Sequence, residues 1–559
     1  MDTKRQPASD EPIWVKSYPH GIPAEVDIHA YQSIVAVLEQ SSQRFSESPA
    51  FSNMGRSISY SELGRLTQDF AAYLQSLGLK RGDKVAIMMP NVLQYPIAIF
   101  GCLRAGVTVT NINPLYTPRE LKHQLNDSGA KCIIILENFC HVLAQVIPDT
   151  AVQTVITTRL GDLLGFPKSA IVNFVVKHIK KMVPAFQLSG SISFSRALDE
   201  GASRNLQAVD LSAEDIAFIQ YTAGTTGESK GVLLTHGNIV ANLQQISAWL
   251  GPHVEEGKEL IVTPLPLYHI FSLTANCLYF MKIGARIHLI TNPRDFKGFV
   301  KELSGLPFTA ITGVNTLFNA LLNTPGFAQL DFSKLKITLG GGMAVQRAVA
   351  ERWKEVTGDV LVEAYGLTET SPAVCINPID MAQYNGKIGL PIPSTECSIQ
   401  DDQGNMLAPG EPGELCVRGP QVMQGYLGRP EQTAKVLKDD GWFHTGDMST
   451  MDENGYVQIL ERKDDMILVS GFNVYPNEVE SVIVEHPGVL EVAVIGVPDE
   501  KSGEVVKAFV VKKDPALTEN QIREHCKQGL TAYKVPKQVE FIDSLPKSNV
   551  GKILRRQLR

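Results

Sequence analysis

Several things are scarce in this chain, and each scarcity excludes a class. Its eight cysteines, at 102, 132, 140, 277, 375, 397, 416 and 526, form no C-x-x-C pair. A small disulfide-stapled domain is excluded, and free thiols in a reducing compartment are the simplest reading. Glycine and proline, 45 and 32 of 559 residues, stay at ordinary usage, which excludes a collagen-like or proline-rich linker protein. Positive charge is in deficit: 52 Lys and Arg against 59 Asp and Glu leave −7, and a dedicated nucleic-acid binder would be basic. Residues 1–23 are polar and carry no apolar core segment, so no secretory signal is expected. One stretch, 261–281, lacks Asp, Glu, Lys and Arg for 21 positions. Pro264 and Pro266 would sit inside any spanning helix, and His269, Ser272 and Asn276 interrupt it, so it is not expected to cross a membrane. No internal repeat or low-complexity segment is present.

What is abundant is apolar surface. Hydrophobic residues make up 44% of the chain and charged residues 20%, enough to bury cores in two to four domains. Short β-branched runs alternate with amphipathic stretches. Residues 84–89 read as a buried strand, and a helix follows to about Gly106. Thr117, Pro118 and Glu120 then open another helix as N-cap, N1 and capping-box partner. Further strands are expected at 132–136, 216–221, 260–263, 286–290, 309–312, 336–339 and 360–364. This is the pattern of an α/β fold with parallel pairing. Past about 385, short strands at 414–418 and 456–460 between turns predict a small β-rich subdomain. The last hundred residues read as a smaller α+β unit, with strands at 491–497, 505–512 and 538–542 and helices at 476–484 and 519–529. A domain boundary is placed at the polar junction 461–465, dividing the chain into 1–462 and a mobile lid at 463–559.

The strongest chemical signal is YTAGTTGESKG at 221–231. Glycines let backbone N–H groups approach a ligand, and Thr hydroxyls and a Lys ammonium add donors and charge. Together these suit a polyphosphate. A solvated turn would need one or two glycines, not Thr222, Thr225, Thr226 and Lys230 as well. The spacing is not that of a Walker A loop, because from Gly224 the sixth position is Ser229 and Lys230 precedes Gly231.

The segment resembles the phosphate loop of the adenylate-forming superfamily, which includes acyl-CoA synthetases, luciferases and peptide-synthetase adenylation domains. Four further motifs stand in the same order: EAYGLTE at 363–369, WFHTGD at 442–447, ERKD at 461–464 and PKSNVGK at 546–552. Within the superfamily the chain is similar to bacterial long-chain fatty-acid–CoA ligases, through 441–463, SGFNVYP at 470–476 and the tail at 546–556. It departs at Ser229, where the loop usually carries proline. The resemblance implies two half-reactions. A carboxylate attacks the α-phosphate of ATP to give acyl-adenylate and pyrophosphate, and the thiol of CoA then displaces AMP.

The same resemblance implies residue roles. Tyr221, Thr222, Ala223, Gly224, Thr225, Thr226, Gly227, Lys230 and Gly231 would hold the phosphates. Glu369 would ligate Mg²⁺, a hard cation that prefers oxygen. Thr368 would bond the α-phosphate. Tyr365 and Gly366 would face adenine against Gly341 and Gly342, and Asp447 with Arg462 would hold the ribose. Lys552 would bridge carboxylate and α-phosphate, and His269 would sit near the acyl carboxylate. Asp464 would be the hinge, Ser470, Gly471 and Phe472 the CoA channel, and Leu273, Gly313 and Val314 part of the acyl pocket. ATP, Mg²⁺, CoA and a fatty acid are the expected ligands. A medium-chain or aryl-acid CoA ligase, an acyl-AMP ligase and, from another class, a non-catalytic lipid or nucleotide sensor stay open, as does a homodimer.

At 168–182, Ile171, Phe174, Val175, Ile179 and Met182 fall on one helical face, with Lys177, Lys180 and Lys181 off it. The pattern suits a helix on anionic lipid or one packed on the core. The protein is accordingly expected in the cytoplasm, free or peripheral on the inner face of the cytoplasmic membrane.

Overall fold

The computed structural model describes residues 12–222, 229–470, 472–499, 501–548 and 551–559. Two large sheets form the main lobe. The first has eight strands in the order Ile192–Ser193, Thr154–Thr158, Cys132–Leu136, Lys84–Met88, Thr108–Asn111, β1 (Ile216–Thr222), β2 (Lys230–Thr235) and Gly425–Tyr426. Its pairs from Ile192–Ser193 through β1 are parallel. Cys132–Leu136 is buried at every position, as its unbroken apolar run requires of a strand covered on both faces. The helix α1 (Pro118–Ser128) carries the expected capping box. Thr117 accepts from the Glu120 N–H, and Glu120 accepts from the Thr117 N–H at 2.8 Å.

The second sheet has nine strands: Arg56–Ser59, Pro49–Asn53, Arg286–Leu289, Leu260–Thr263, Ala310–Gly313, Ile337–Gly340, β3 (Leu361–Gly366), Ala373–Ile376 and Leu390–Pro391. Three strands expected at 309–312, 336–339 and 360–364 each begin one residue later. The hairpin at 49–59 joins this sheet from far away in the chain. Phe51 lies opposite Ile287, and Asn53 Nδ2 donates to Leu289 O at 2.8 Å. The largest apolar cluster draws on both sheets and on the helices Gln94–Arg104 and His236–Leu250.

The β-rich subdomain is a four-stranded antiparallel sheet of Glu396–Gln400, Gly413–Arg418, β4 (Phe443–Met451) and β5 (Val457–Arg462). β4 alternates buried and half-buried along all nine residues, the period of a strand with one face on a core. After β5 a short turn at Lys463–Asp465 leads to a separate sheet, beginning at Ile467–Val469. That unit contains α3 (Pro476–Val484), the helix Glu519–Gly529 and the long hairpin Val489–Asp499 and Gly503–Lys512. It has its own apolar cluster.

Two other expectations are decided here. The uncharged stretch at 261–281 splits into a strand, a loop and a short π-helix, Ser272–Tyr279. Among the described residues no helix is long and apolar enough to cross a membrane. The helix at 168–182 does not pack its apolar face on the core. It consists of α2 (Lys168–Phe174) and a π-helical turn, Val175–Ile179. Ile171, Phe174, Ile179 and Met182 all point to solvent. All eight cysteines are free and buried.

Candidate active site

A cavity of about 2460 Å³ lies between the main lobe and the C-terminal unit. One wall is set by β3, which ends in Tyr365 and Gly366, and by the adjacent β4–β5 ladder, where Asp447 pairs with Arg462. Tyr365 donates its hydroxyl to Asp447 Oδ2 at 2.5 Å, and Arg462 Nε lies 2.9 Å from Asp447 Oδ1. Burial pushes the Asp447 carboxyl up, while Arg462 and Tyr365 favour its charge. The carboxylate in turn holds the guanidinium protonated. The Asp447 N–H donates to Thr445 Oγ1 at 3.1 Å, and Thr445 donates to Leu415 O at 2.8 Å. The T-G-D segment is thereby tied to the neighbouring strand.

The second wall begins at Gly341 and Gly342, which follow the strand Ile337–Gly340. A side chain at Gly341 would meet the Phe271 ring at 3.1 Å, and Gly342 has φ +78°. The loop is held by a group that had no expected role. Buried Glu363 accepts from the Val345 N–H at 3.1 Å and from the Tyr384 hydroxyl at 2.9 Å. Burial pushes its carboxyl up to about 7.

The phosphate loop joins two antiparallel strands, since Tyr221 lies opposite Gly231 and Thr222 opposite Lys230. The strand β2 was not foreseen. Ala223, Gly224, Thr225, Thr226 and Gly227 lie outside the described residues. Tyr221 donates to Asp127 Oδ2 at 2.7 Å, and Arg429 holds the other oxygen at 3.1 Å. Tyr426 is a second residue missed from sequence. Its hydroxyl donates to Glu369 Oε1 at 2.9 Å, and its ring centroid is 5.0 Å from Lys230 Nζ. It thus connects the phosphate-loop strand to the YGLTE motif. A tyrosine following a glycine in a two-residue strand carries no signal that would have revealed this.

Thr368 and Glu369 line the cavity. Among the described residues no group of three or more His, Cys, Asp or Glu side chains could hold a metal ion. Glu369 alone fits Mg²⁺, which takes one or two carboxylates and fills its other positions with water and phosphate oxygens.

Lys552 reaches the cavity from the C-terminal tail. Its Cε stands 3.4 Å from where a side chain would begin at Gly342. Among the described residues its ammonium has no hydrogen-bond or ion-pair partner. Burial and Arg462 push that ammonium below the usual lysine range, against the opposing pull of Asp447 and Glu369. Gly551 has φ +88°, and a side chain there would strike Thr316 Oγ1 at 2.8 Å. Thr316 instead donates to Gly551 O at 3.0 Å. His269 also lines the cavity, and burial with the neighbouring Lys552 pushes its imidazole down to about 3. It is neutral at pH 7, and its Nδ1 accepts from the Phe271 N–H at 3.4 Å. That bond assigns the proton to Nε2.

Other expected site residues do not line the cavity. Leu273 is fully buried in the main apolar cluster. The space beside Gly313 is filled by Phe318 and Leu317. Val314 packs into the second apolar cluster, between Gly342 and Gly551. The cavity's apolar lining instead includes Ile246, Leu250, Ala275, Phe280 and Ile376. Ser470 and Phe472 also lie off the cavity. Phe472 is exposed and stacks on Tyr533, 4.9 Å between ring centroids. Gly471 lies outside the described residues.

The AMP-binding enzyme family matches residues 38–427, and the AMP-binding enzyme C-terminal domain matches residues 478–552. The chain belongs to the AMP-binding enzyme family. Its relatives in that family include the long-chain-fatty-acid–CoA ligase of Escherichia coli O157:H7, 59% identical over 548 residues and 98% of each chain. That of Haemophilus influenzae is 51% identical over 554 residues, again 98% of each. Among solved structures, the anthranilate CoA ligase AuaEII in complex with anthranoyl-AMP superimposes with a TM-score of 0.83 at 26% identity, over 95% of this chain and 97% of that one. AMP-binding enzymes of this CoA-ligase kind use ATP, Mg²⁺ and CoA.

Proposed function

We propose that the protein joins a long-chain fatty acid to CoA at the expense of ATP, releasing AMP and pyrophosphate. The observation that carries this reading is one cavity with two characters. Polar Lys552, Glu369, Thr368 and Asp447 and apolar Ile246, Leu250, Phe280 and Ile376 line the same cavity. The full-length relatives named long-chain-fatty-acid–CoA ligase support it.

In the first half-reaction two anions must meet, the acid's carboxylate and the α-phosphate. The Lys552 ammonium neutralises both, and neutral His269 offers its Nε2–H to the carboxylate. Asp447, fixed by Tyr365 and Arg462, accepts the ribose hydroxyls, and Tyr365 and Gly366 face adenine opposite Gly341 and Gly342. The residues 221–231 and Thr368 hold the phosphates, and Glu369 would hold Mg²⁺, which supplies charge neutralisation. These groups act by positioning and preorganised charge. In the second half-reaction the unit at 463–559 turns about Asp464. Lys552 then withdraws, and Ser470, Gly471 and Phe472 come to line the path of the CoA thiol.

AMP release measured with CoA across saturated acids of increasing length tests the reading. Activity should rise with chain length as the acid covers more of the apolar lining. A maximum with aryl or short acids would replace the long-chain assignment, and CoA-independent release would favour an acyl-AMP ligase. We further propose that the protein works in the cytoplasm against the inner face of the membrane, where such acids arrive.

A further inference from the structure

We propose that the helical spur at 166–182 is a docking surface for an anionic lipid bilayer. The inference rests on the membrane reading above and locates it on named residues. Five large apolar side chains crowd this spur and face solvent: Phe166 at 91% exposure, Ile171 and Phe174 at 58%, Ile179 at 65% and Met182 at 52%. Scattered exposed apolar residues need no explanation, but a contiguous cluster on one short element marks an interaction site.

Polar groups of the spur and its base help fasten it to the body. Asn173 accepts from the Gly161 N–H at 2.8 Å and donates to Asp162 Oδ1 at 3.1 Å. Lys168 Nζ donates to Met54 O, and Asn138 donates to Met182 O at 3.0 Å. Inward, Val176 is buried and half-buried Val172 packs against the main apolar cluster. The spur therefore has a small inward apolar side, Val172 and Val176, and a larger apolar side that faces solvent.

Charge selects the partner. The whole chain is net negative at −7, yet residues 163–198 contain no Asp or Glu. They carry Lys168, Lys177, Lys180, Lys181 and Arg196 instead. Lys177, His178, Lys180 and Lys181 are exposed around the apolar ridge. The acidic neighbours, Glu137 and Asp162, lie at the base. Apolar side chains ringed by lysines fit acyl chains beneath anionic headgroups. A second copy of this chain would bring lysines against lysines.

Co-sedimentation of the full chain with vesicles of phosphatidylglycerol and phosphatidylethanolamine, and of phosphatidylcholine alone, tests the proposal. The wild type should bind the anionic vesicles, more weakly at high salt. Lys177→Glu/Lys180→Glu/Lys181→Glu should lose at least about a hundredfold in partitioning, taking about fivefold per lysine. Phe174→Ser/Ile179→Ser should lose about a hundredfold. Both variants should still form acyl-CoA from an acid dispersed in detergent. In Phe174→Trp the four native tryptophans are buried, so quenching by brominated lipid reports position 174 directly. A wild type that ignores anionic vesicles overturns the membrane reading and this proposal together. Wild-type binding that both variants retain, with no quenching at 174, overturns the surface alone. Wild-type dimers in sedimentation velocity that either variant dissolves would make the ridge a self-association face and overturn it as well.

Discussion

On the main lobe, the polar groups around the nucleotide chamber are tied to their own scaffold. Asp447 is fixed by Tyr365, Arg462 and the Thr445 turn, and Glu369 by Tyr426. The C-terminal unit, with its tail, is attached differently. Away from the junction, among the described residues, Thr316 to Gly551 O and Asn319 to Leu490 O are the side-chain bonds that hold it to that lobe. Near the junction Arg555 reaches back to buried Glu461 at 3.0 Å while also binding Glu480. A wall that keeps its shape without the tail, and a tail with few ties to the wall, are what two successive chemistries in one cavity require.

The contrast predicts which changes separate the half-reactions. Lys552→Ala should lower fatty-acid-dependent pyrophosphate release by about a thousandfold. Thioester formation from supplied acyl-adenylate should stay within a few-fold; equal loss in both would erase the distinction between tail and wall. Asp447→Asn should lower both half-reactions, each by about a hundredfold, because a charged hydrogen-bond acceptor is lost from every nucleotide-bound state. A loss confined to one would show that the ribose grip is not shared.

The smallest effect concerns Glu363. Its carboxyl rises from an ordinary 4.5 to about 7 in the folded protein. The folded state therefore holds its proton more tightly than the unfolded one. This contribution is complete below pH 4.5 and is lost as pH rises through 7. Glu363→Gln should flatten that decline by about 2 kcal/mol in urea melts compared at pH 5 and pH 8. An unchanged pH profile would mean that the glycine loop is not held by this group.

Local rules made much of this architecture legible. The capping box at Thr117, the unbroken strand Cys132–Leu136 and the helices at 476–484 and 519–529 follow from nearest neighbours in sequence. The order of the motifs gave the family. What escaped depends on distant partners. The strand β2 looked like the tail of a phosphate loop, because its pairing with β1 is what defines it. Glu363 and Tyr426 acquire their contacts only when strands far apart in sequence meet. Leu273 lies four residues beyond His269, but a π-helical segment turns it into the core.

The hairpin at 49–59 has a consequence for synthesis. Ser52 and its partner His288 are 236 residues apart. At 5–20 residues per second the first of them leaves the ribosome roughly 10–50 s before the second. During that interval the early strand has no sheet to join, and its unpaired edge must be shielded from other nascent chains. Growth of the polypeptide past position 289 is therefore the event that lets the hairpin join its neighbour, ahead of the strands at 310–391 that complete the larger sheet.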